Sequence, residues 1–141
     1  MERRDFIRLS ALGLGAGMLA PTMVLAEAGK FKAGSDIFYT KDDPGRWSGK
    51  VATHLPSIEI AKTADSVIVK VVTAHEMKGF EHYIVKHALL DKDYKFLEEH
   101  LFDPGKDKEA VSSFTLKNYS GQLYVLSLCN KHDLWLNEAL V

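Results

Sequence analysis

Cysteine is nearly missing from this chain: Cys129 is the only one in 141 residues. A single thiol has no internal partner, so a disulfide framework is excluded. Neither sign of charge dominates, because 18 Lys and Arg face 19 Asp and Glu for a net charge of −1. That balance argues against a nucleic-acid binder and against an acidic solvating tail. Beyond residues 1–28 no run is long and apolar enough to span a bilayer. Internal repeats, low-complexity segments and long amphipathic helices are missing too. What is left, 46% apolar and 26% charged, has the composition of one ordinary globular domain.

The start of the chain reads as a targeting segment. Arg3-Arg4-Asp5-Phe6-Ile7-Arg8 precedes a moderately apolar, glycine-containing run from Leu9 to Leu25, and Ala26-Glu27-Ala28 offers the small residues of a cleavage site. The paired arginines followed by Phe and Ile resemble a twin-arginine export signal, which carries folded proteins across the bacterial inner membrane. Residues 1–28 are therefore expected to be a cleaved signal peptide and residues 29–141 the working domain, periplasmic and free of the membrane after cleavage. Cleavage removes Arg3, Arg4 and Arg8 together with Glu2, Asp5 and Glu27, so the net charge stays at −1. In an oxidising compartment an odd thiol has to be buried, bonded to another chain or bound to metal.

Within the domain, Gly29 to Gly49 is polar and turn-rich. Asp42-Asp43-Pro44-Gly45 forms a turn by composition, with Trp47 expected to anchor the segment in the core. Short β-rich runs then recur: Ser57 to Ala61, Ser66 to Ala74, His82 to Leu90, Phe96 to Phe102, Ala110 to Lys117, Gln122 to Leu128 and Leu134 to Ala139. Turn-forming residues separate them, notably Asp91-Lys92-Asp93, Asp103-Pro104-Gly105 and Asn118-Tyr119-Ser120-Gly121. About seven short strands with brief loops predict an all-β antiparallel sandwich.

The chemistry-bearing residues gather at predicted strand ends. Cys129 and His132 lie three residues apart where the apolar run Leu123 to Leu128 breaks off, so both can turn onto one metal ion. His54 precedes Leu55-Pro56 and is expected in the loop entering the first strand, since proline favours extended backbone before it. His75 is expected just after the second strand, and His82 at the opening of the third. His87 is five residues beyond His82 and should point to the opposite face of its strand, away from the site. His100 stands among Glu98, Glu99 and Asp103, which suits a solvated face. Neither is expected to be a ligand.

Cys129-Asn130-Lys131-His132-Asp133-Leu134-Trp135 is similar to the C-terminal Cys-Asn-x-His-Gly-Leu-Trp motif of the superoxide reductase family, also called neelaredoxin or, with an added iron module, desulfoferrodoxin. Trp47-Ser48-Gly49 with His54-Leu55-Pro56-Ser57-Ile58-Glu59 resembles the family's segment ending His-Val-Pro-x-Ile-Glu. His75-Glu76-Met77 and His82-Tyr83-Ile84 resemble its His-Pro-Met and His-Tyr-Ile pair. The resemblance implies an immunoglobulin-like sandwich holding one mononuclear non-haem iron (Fe2+/Fe3+). It assigns His54, His75, His82 and His132 as imidazole ligands and Cys129 as the thiolate. The activity it implies is one-electron reduction of superoxide to hydrogen peroxide. With one cysteine the additional four-cysteine iron module cannot be built, so the electron comes from an external donor such as a rubredoxin or a c-type cytochrome. Family members are often dimers or tetramers, which makes a homo-oligomer possible.

Three departures from the family pattern stand out. Its Glu-Lys pair before the first ligand reads Ala52-Thr53 here, and Lys50 lies four residues ahead of His54. Lys50 either steers superoxide from above the open position or is an ordinary solvated lysine. The His75–His82 linker is one residue longer and carries Glu76 in place of proline. Asp133 replaces the motif's glycine; aspartate tolerates left-handed backbone, so the turn can survive, with its carboxylate expected near the centre. Two other readings stay open: a copper electron-transfer protein, and an iron-binding redox sensor with little turnover.

Overall fold

The computed structural model describes residues 36–141. The expected signal peptide, residues 1–28, and the first residues of the expected domain lie outside them. Seven strands run in chain order: β1 (Ser57–Lys62), β2 (Ser66–Glu76), β3 (Ile84–Leu90), β4 (Phe96–Leu101), β5 (Glu109–Lys117), β6 (Gln122–Cys129) and β7 (Asp133–Leu140). They form two antiparallel sheets, β1-β2-β5 and β4-β3-β6-β7. The all-β sandwich expected from the turn spacing is the observed fold.

Alternation along the strands builds the interior. On β2 the buried positions are Val67, Val69, Val71, Thr73 and His75, every second residue. On β6 they are Leu123, Val125, Ser127 and Cys129. The apolar members meet Leu89 and Phe114 in the main core. Burying each such Val or Leu side chain contributes about 1.5–3 kcal/mol. Both inward stripes then change character in the same order, from aliphatic to hydroxyl to metal-ligand type. One end of the sandwich is thus apolar, and the other presents donor atoms.

Several expectations need correction, among them His82, which lies in the loop just before β3 and does not open that strand. His75 sits inside β2, because the inward stripe continues through it to Glu76. His54 ends a one-turn helix, α1 (Val51–His54), whose last turn closes through Leu55 N–H to the Val51 carbonyl; only Leu55 itself is extended before Pro56. The residue anchoring the polar N-terminal segment in the core is Tyr39, 1% exposed, rather than half-buried Trp47. Tyr39 exchanges backbone hydrogen bonds with Leu134 and Leu136 on β7, and its ring lies 5.7 Å from Trp135.

His87 is fully buried between the sheets. A register shift between Ile84 and Lys86 in the β3–β6 pairing resets the alternation, so parity counted from His82 does not carry to His87. Its Nδ1 lies 2.7 Å from Ser112 Oγ and its Nε2 2.8 Å from Thr73 Oγ1. Burial pushes its pKa down to about 4, with the charge of His100 a smaller cause. His100 is exposed and packs edge-on against Phe102. Among the described residues no helix is long and apolar enough to cross a membrane.

Candidate metal centre

His54, His75, His82, His132 and Cys129 converge at the hydroxyl end of the sandwich, each offering one ligand atom, all within 4.8 Å of one another. Four separate pieces of chain deliver them. α1 ends on His54, β2 carries His75, the 77–83 loop carries His82, and the end of β6 with the turn into β7 carries Cys129 and His132. Asn130 joins the last two pieces. Its side chain accepts from Tyr83 N–H at 3.0 Å and donates to the Glu81 carbonyl at 3.0 Å. Sequence reasoning placed Asn130 in the motif without seeing that role.

The rings form a closed circuit. His54 Nε2 is 3.1 Å from His132 Nδ1, His132 Nδ1 is 3.1 Å from His82 Nε2, and His82 Nε2 is 3.0 Å from His75 Nε2. His54 and His75 meet edge to face with centroids 4.7 Å apart, while His54 and His82, at 6.3 Å, stand across from each other. Cys129 Sγ lies 3.3 Å from His82 Nε2 and 3.6 Å from both His75 Nε2 and His132 Nδ1. An ion bonded to nitrogen at about 2.1 Å and sulfur at about 2.3 Å holds neighbouring nitrogens roughly 3.0 Å apart and a neighbouring N–S pair roughly 3.1 Å apart. The three nitrogen separations match, and the sulfur separations exceed that value by only a few tenths of an ångström. The donor spacing fits one ion held by the four imidazoles and the thiolate.

Proton placement favours the same reading. His54 Nδ1 lies 3.1 Å from the Lys50 carbonyl, and His75 Nδ1 is bonded to the Glu76 carbonyl. A carbonyl only accepts, so both Nδ1 atoms carry the proton and both Nε2 atoms turn a lone pair inward. Thr53 Oγ1, 2.8 Å from His54 Nδ1, shares that contact. Lone pairs crowded at 3 Å repel unless a cation lies between them. Burial is the leading cause that lowers all four imidazole pKa values; neighbouring histidines add to it at His54, His75 and His132, nearby lysines (Lys50, Lys78 or Lys131) at His54, His82 and His132, and His54 falls to about 4. At neutral pH the rings are neutral and free to coordinate. Burial pushes the Cys129 thiol up, so it is protonated until a metal takes the proton's place.

A cleft of about 360 Å³ opens over the ring, lined by the four histidines with Lys50, Thr53, Ala74 and Glu76. Cys129 is 2% exposed and does not line it, so the thiol lies on the buried side and the open side faces solvent. Lys50 is one of the residues lining the cleft. Asp133 is not. Its backbone is left-handed, φ 63°, as the turn requires, but its carboxylate bonds Trp47 Nε1 at 2.8 Å and pairs with Arg46. Those bonds, the Trp47 indole first, hold its pKa below the ordinary carboxylate value. The acid is turned away from the cleft and compensated there.

Fold and donor set together define a β-sandwich with a four-histidine, one-cysteine metal centre. Residues 46–138 match the desulfoferrodoxin family, and the chain belongs to it. A superoxide reductase of Pyrococcus abyssi is 35% identical over 106 residues, 67% of this chain and 90% of that protein. The solved superoxide reductase (neelaredoxin) of Ignicoccus hospitalis is 29% identical with TM-score 0.62, over 78% of this chain and 98% of that one. Its counterpart from Archaeoglobus fulgidus, in the reduced form, is 25% identical with TM-score 0.59, over 75% of this chain and 98% of that one.

Proposed function

We propose that this protein is a superoxide reductase, an oxidoreductase that takes superoxide, one electron and two protons to hydrogen peroxide. The observation that carries the reading is the ring of four imidazole nitrogens with Cys129 Sγ beneath it on the buried side. His54, His75, His82 and His132 would hold a mononuclear non-haem iron with Cys129. Bound ferrous iron would supply the electron and an open coordination position, and its formal charge with one thiolate and four neutral imidazoles is +1.

The chain's own residues do the rest. The Lys50 and Glu76 carbonyls fix the tautomers of His54 and His75 before any ion arrives. Cys129, on the buried side, would hold a bound iron as its thiolate ligand and would supply electron density to it. Of the two charged side chains at the cleft, Glu76 is paired with Lys78 at 3.3 Å. No ion pair holds Lys50 among the described residues. Lys50 is therefore a cation at the cleft free to draw an anion to the open side.

The further reading is that residues 1–28 export the folded protein by the twin-arginine route to the periplasm, where a rubredoxin- or cytochrome c-like donor returns the electron. The paired arginines support the export route, and the single cysteine, too few for a four-cysteine iron module within these residues, supports an outside donor. The test is metal analysis and a visible spectrum of protein purified anaerobically, before and after oxidation, followed by stopped-flow mixing with superoxide. One iron per chain, a thiolate-to-iron band on oxidation and rapid loss of superoxide are expected. Iron with slow loss of superoxide would favour a redox sensor on the same centre; copper or no metal overturns the assignment.

A further inference from the structure

We infer that Asp133 is a positioning residue for the metal centre: it clasps Trp47 and Arg46 and so holds the Trp47 indole against the His132 ring. The inference rests on the metal reading above.

Asp133 follows a ligand directly and occupies a left-handed position, φ 63°, where glycine is the least strained choice. A side chain tolerated there despite the strain calls for a compensating contact, and two are present. Asp133 Oδ2 accepts from Trp47 Nε1 at 2.8 Å and pairs with Arg46. Arg46 closes the circle, its guanidinium carbon 4.8 Å from the Trp47 ring centroid. Arg46 Nε also donates to the hydroxyl of buried Tyr39 at 3.1 Å, which roots the clasp in the core.

The clasp acts on His132. Trp47 meets that imidazole edge to face with centroids 4.7 Å apart. From the other side Trp135 Nε1 donates to the His132 carbonyl at 2.9 Å. Backbone and ring of this ligand are thus held by different indoles. His54 and His75 each have a carbonyl to fix their outer nitrogen, whereas the packing contact from Trp47 restrains the ring of His132. Without Asp133 the Trp47 N–H would have no acceptor among the described residues, and the indole would lose the hydrogen bond that sets its orientation. The surface ion pair with Arg46 contributes little stability alone; its worth lies in orientation.

The experiment uses the iron-loaded full chain and reads iron loss to an excess of ferrous chelator together with the thiolate-to-iron band of the oxidised form. Asp133→Gly removes the clasp while relieving the backbone. It should lose iron about tenfold faster and shift or broaden the band, with thermal stability unchanged or raised. Asp133→Asn keeps an acceptor for the indole and should stay closer to wild type. Trp47→Phe keeps the ring but not the N–H, and combining it with Asp133→Gly should add little to the single changes. Iron loss and band both like wild type in Asp133→Gly, or effects that simply multiply in the double variant, overturn the inference. Wild type that takes up no iron overturns the metal reading instead.

Discussion

Thr73 Oγ1 and Ser127 Oγ lie 2.8 Å apart, a buried hydrogen bond joining one sheet to the other. Each residue stands two positions before a donor of the metal centre, His75 on β2 and Cys129 on β6. The same threonine hydroxyl reaches His87, which reaches Ser112 on β5. A polar layer therefore lies between the aliphatic core and the donors, and it sets the spacing of the two strands that carry them. Buried polar groups in such a layer are costly to strand.

Thr73→Val should accordingly destabilise the protein by on the order of 3 kcal/mol, since it strands both His87 Nε2 and the Ser127 hydroxyl. Ser127→Ala strands less and should cost about 1 kcal/mol. Urea midpoints at constant slope measure both. A Thr73→Val midpoint equal to wild type would mean the layer is not structural.

His87 adds a pH dependence of known sign. Its pKa is about 4 in the folded protein against an ordinary 6.5. Between these values the unfolded chain binds one proton more, so stability is complete above pH 6.5 and falls as the pH drops toward 4. The loss attributable to His87 is on the order of 3 kcal/mol. His54 shifts the same way, so only a comparison isolates His87. His87→Gln should show a shallower decline in stability between pH 6.5 and 5 than wild type, and parallel curves would rule His87 out.

Much of this was legible in the residues. The seven strands follow from turn spacing, and the inward parity of 67, 69, 71, 73, 75 and of 123, 125, 127, 129 is simple alternation. Parity fails where pairing shifts, which is why His87 was misplaced beyond the irregularity at Ile84–Lys86. α1 is a single turn, too short for a helical period to show. Tyr39 sits in a polar stretch, and its burial comes from a bridge to Trp135, nearly a hundred residues along the chain. The ligands at 129 and 132 follow from spacing; His54 joins them only because α1 turns it inward, a tertiary fact visible beforehand only through family resemblance.

Lys50 is expected to raise the encounter rate with superoxide. Lys50→Ala should lower the second-order rate roughly three- to tenfold at low salt and flatten its dependence on ionic strength, while Lys50→Arg keeps both. Pulse radiolysis across a salt series gives the answer. A rate and salt slope unchanged in Lys50→Ala would remove the residue from the mechanism.

Metal uptake should be counted in protons. With the Cys129 thiol raised above its ordinary value of 9.0 and all four imidazoles lowered from 6.5, ferrous iron binding near pH 7 displaces the thiol proton and essentially nothing from the rings. About one proton should leave per iron, and affinity should rise about tenfold per pH unit between pH 6.5 and 8.5. Below that window the slope steepens only as the rings begin to protonate, His54 last among acid titrations near pH 4. Calorimetry in buffers of different ionisation enthalpy counts the protons directly. Cys129→Ser should release none at pH 7 and bind iron far more weakly. Two or more protons released by wild type would mean that the rings are not neutral beforehand.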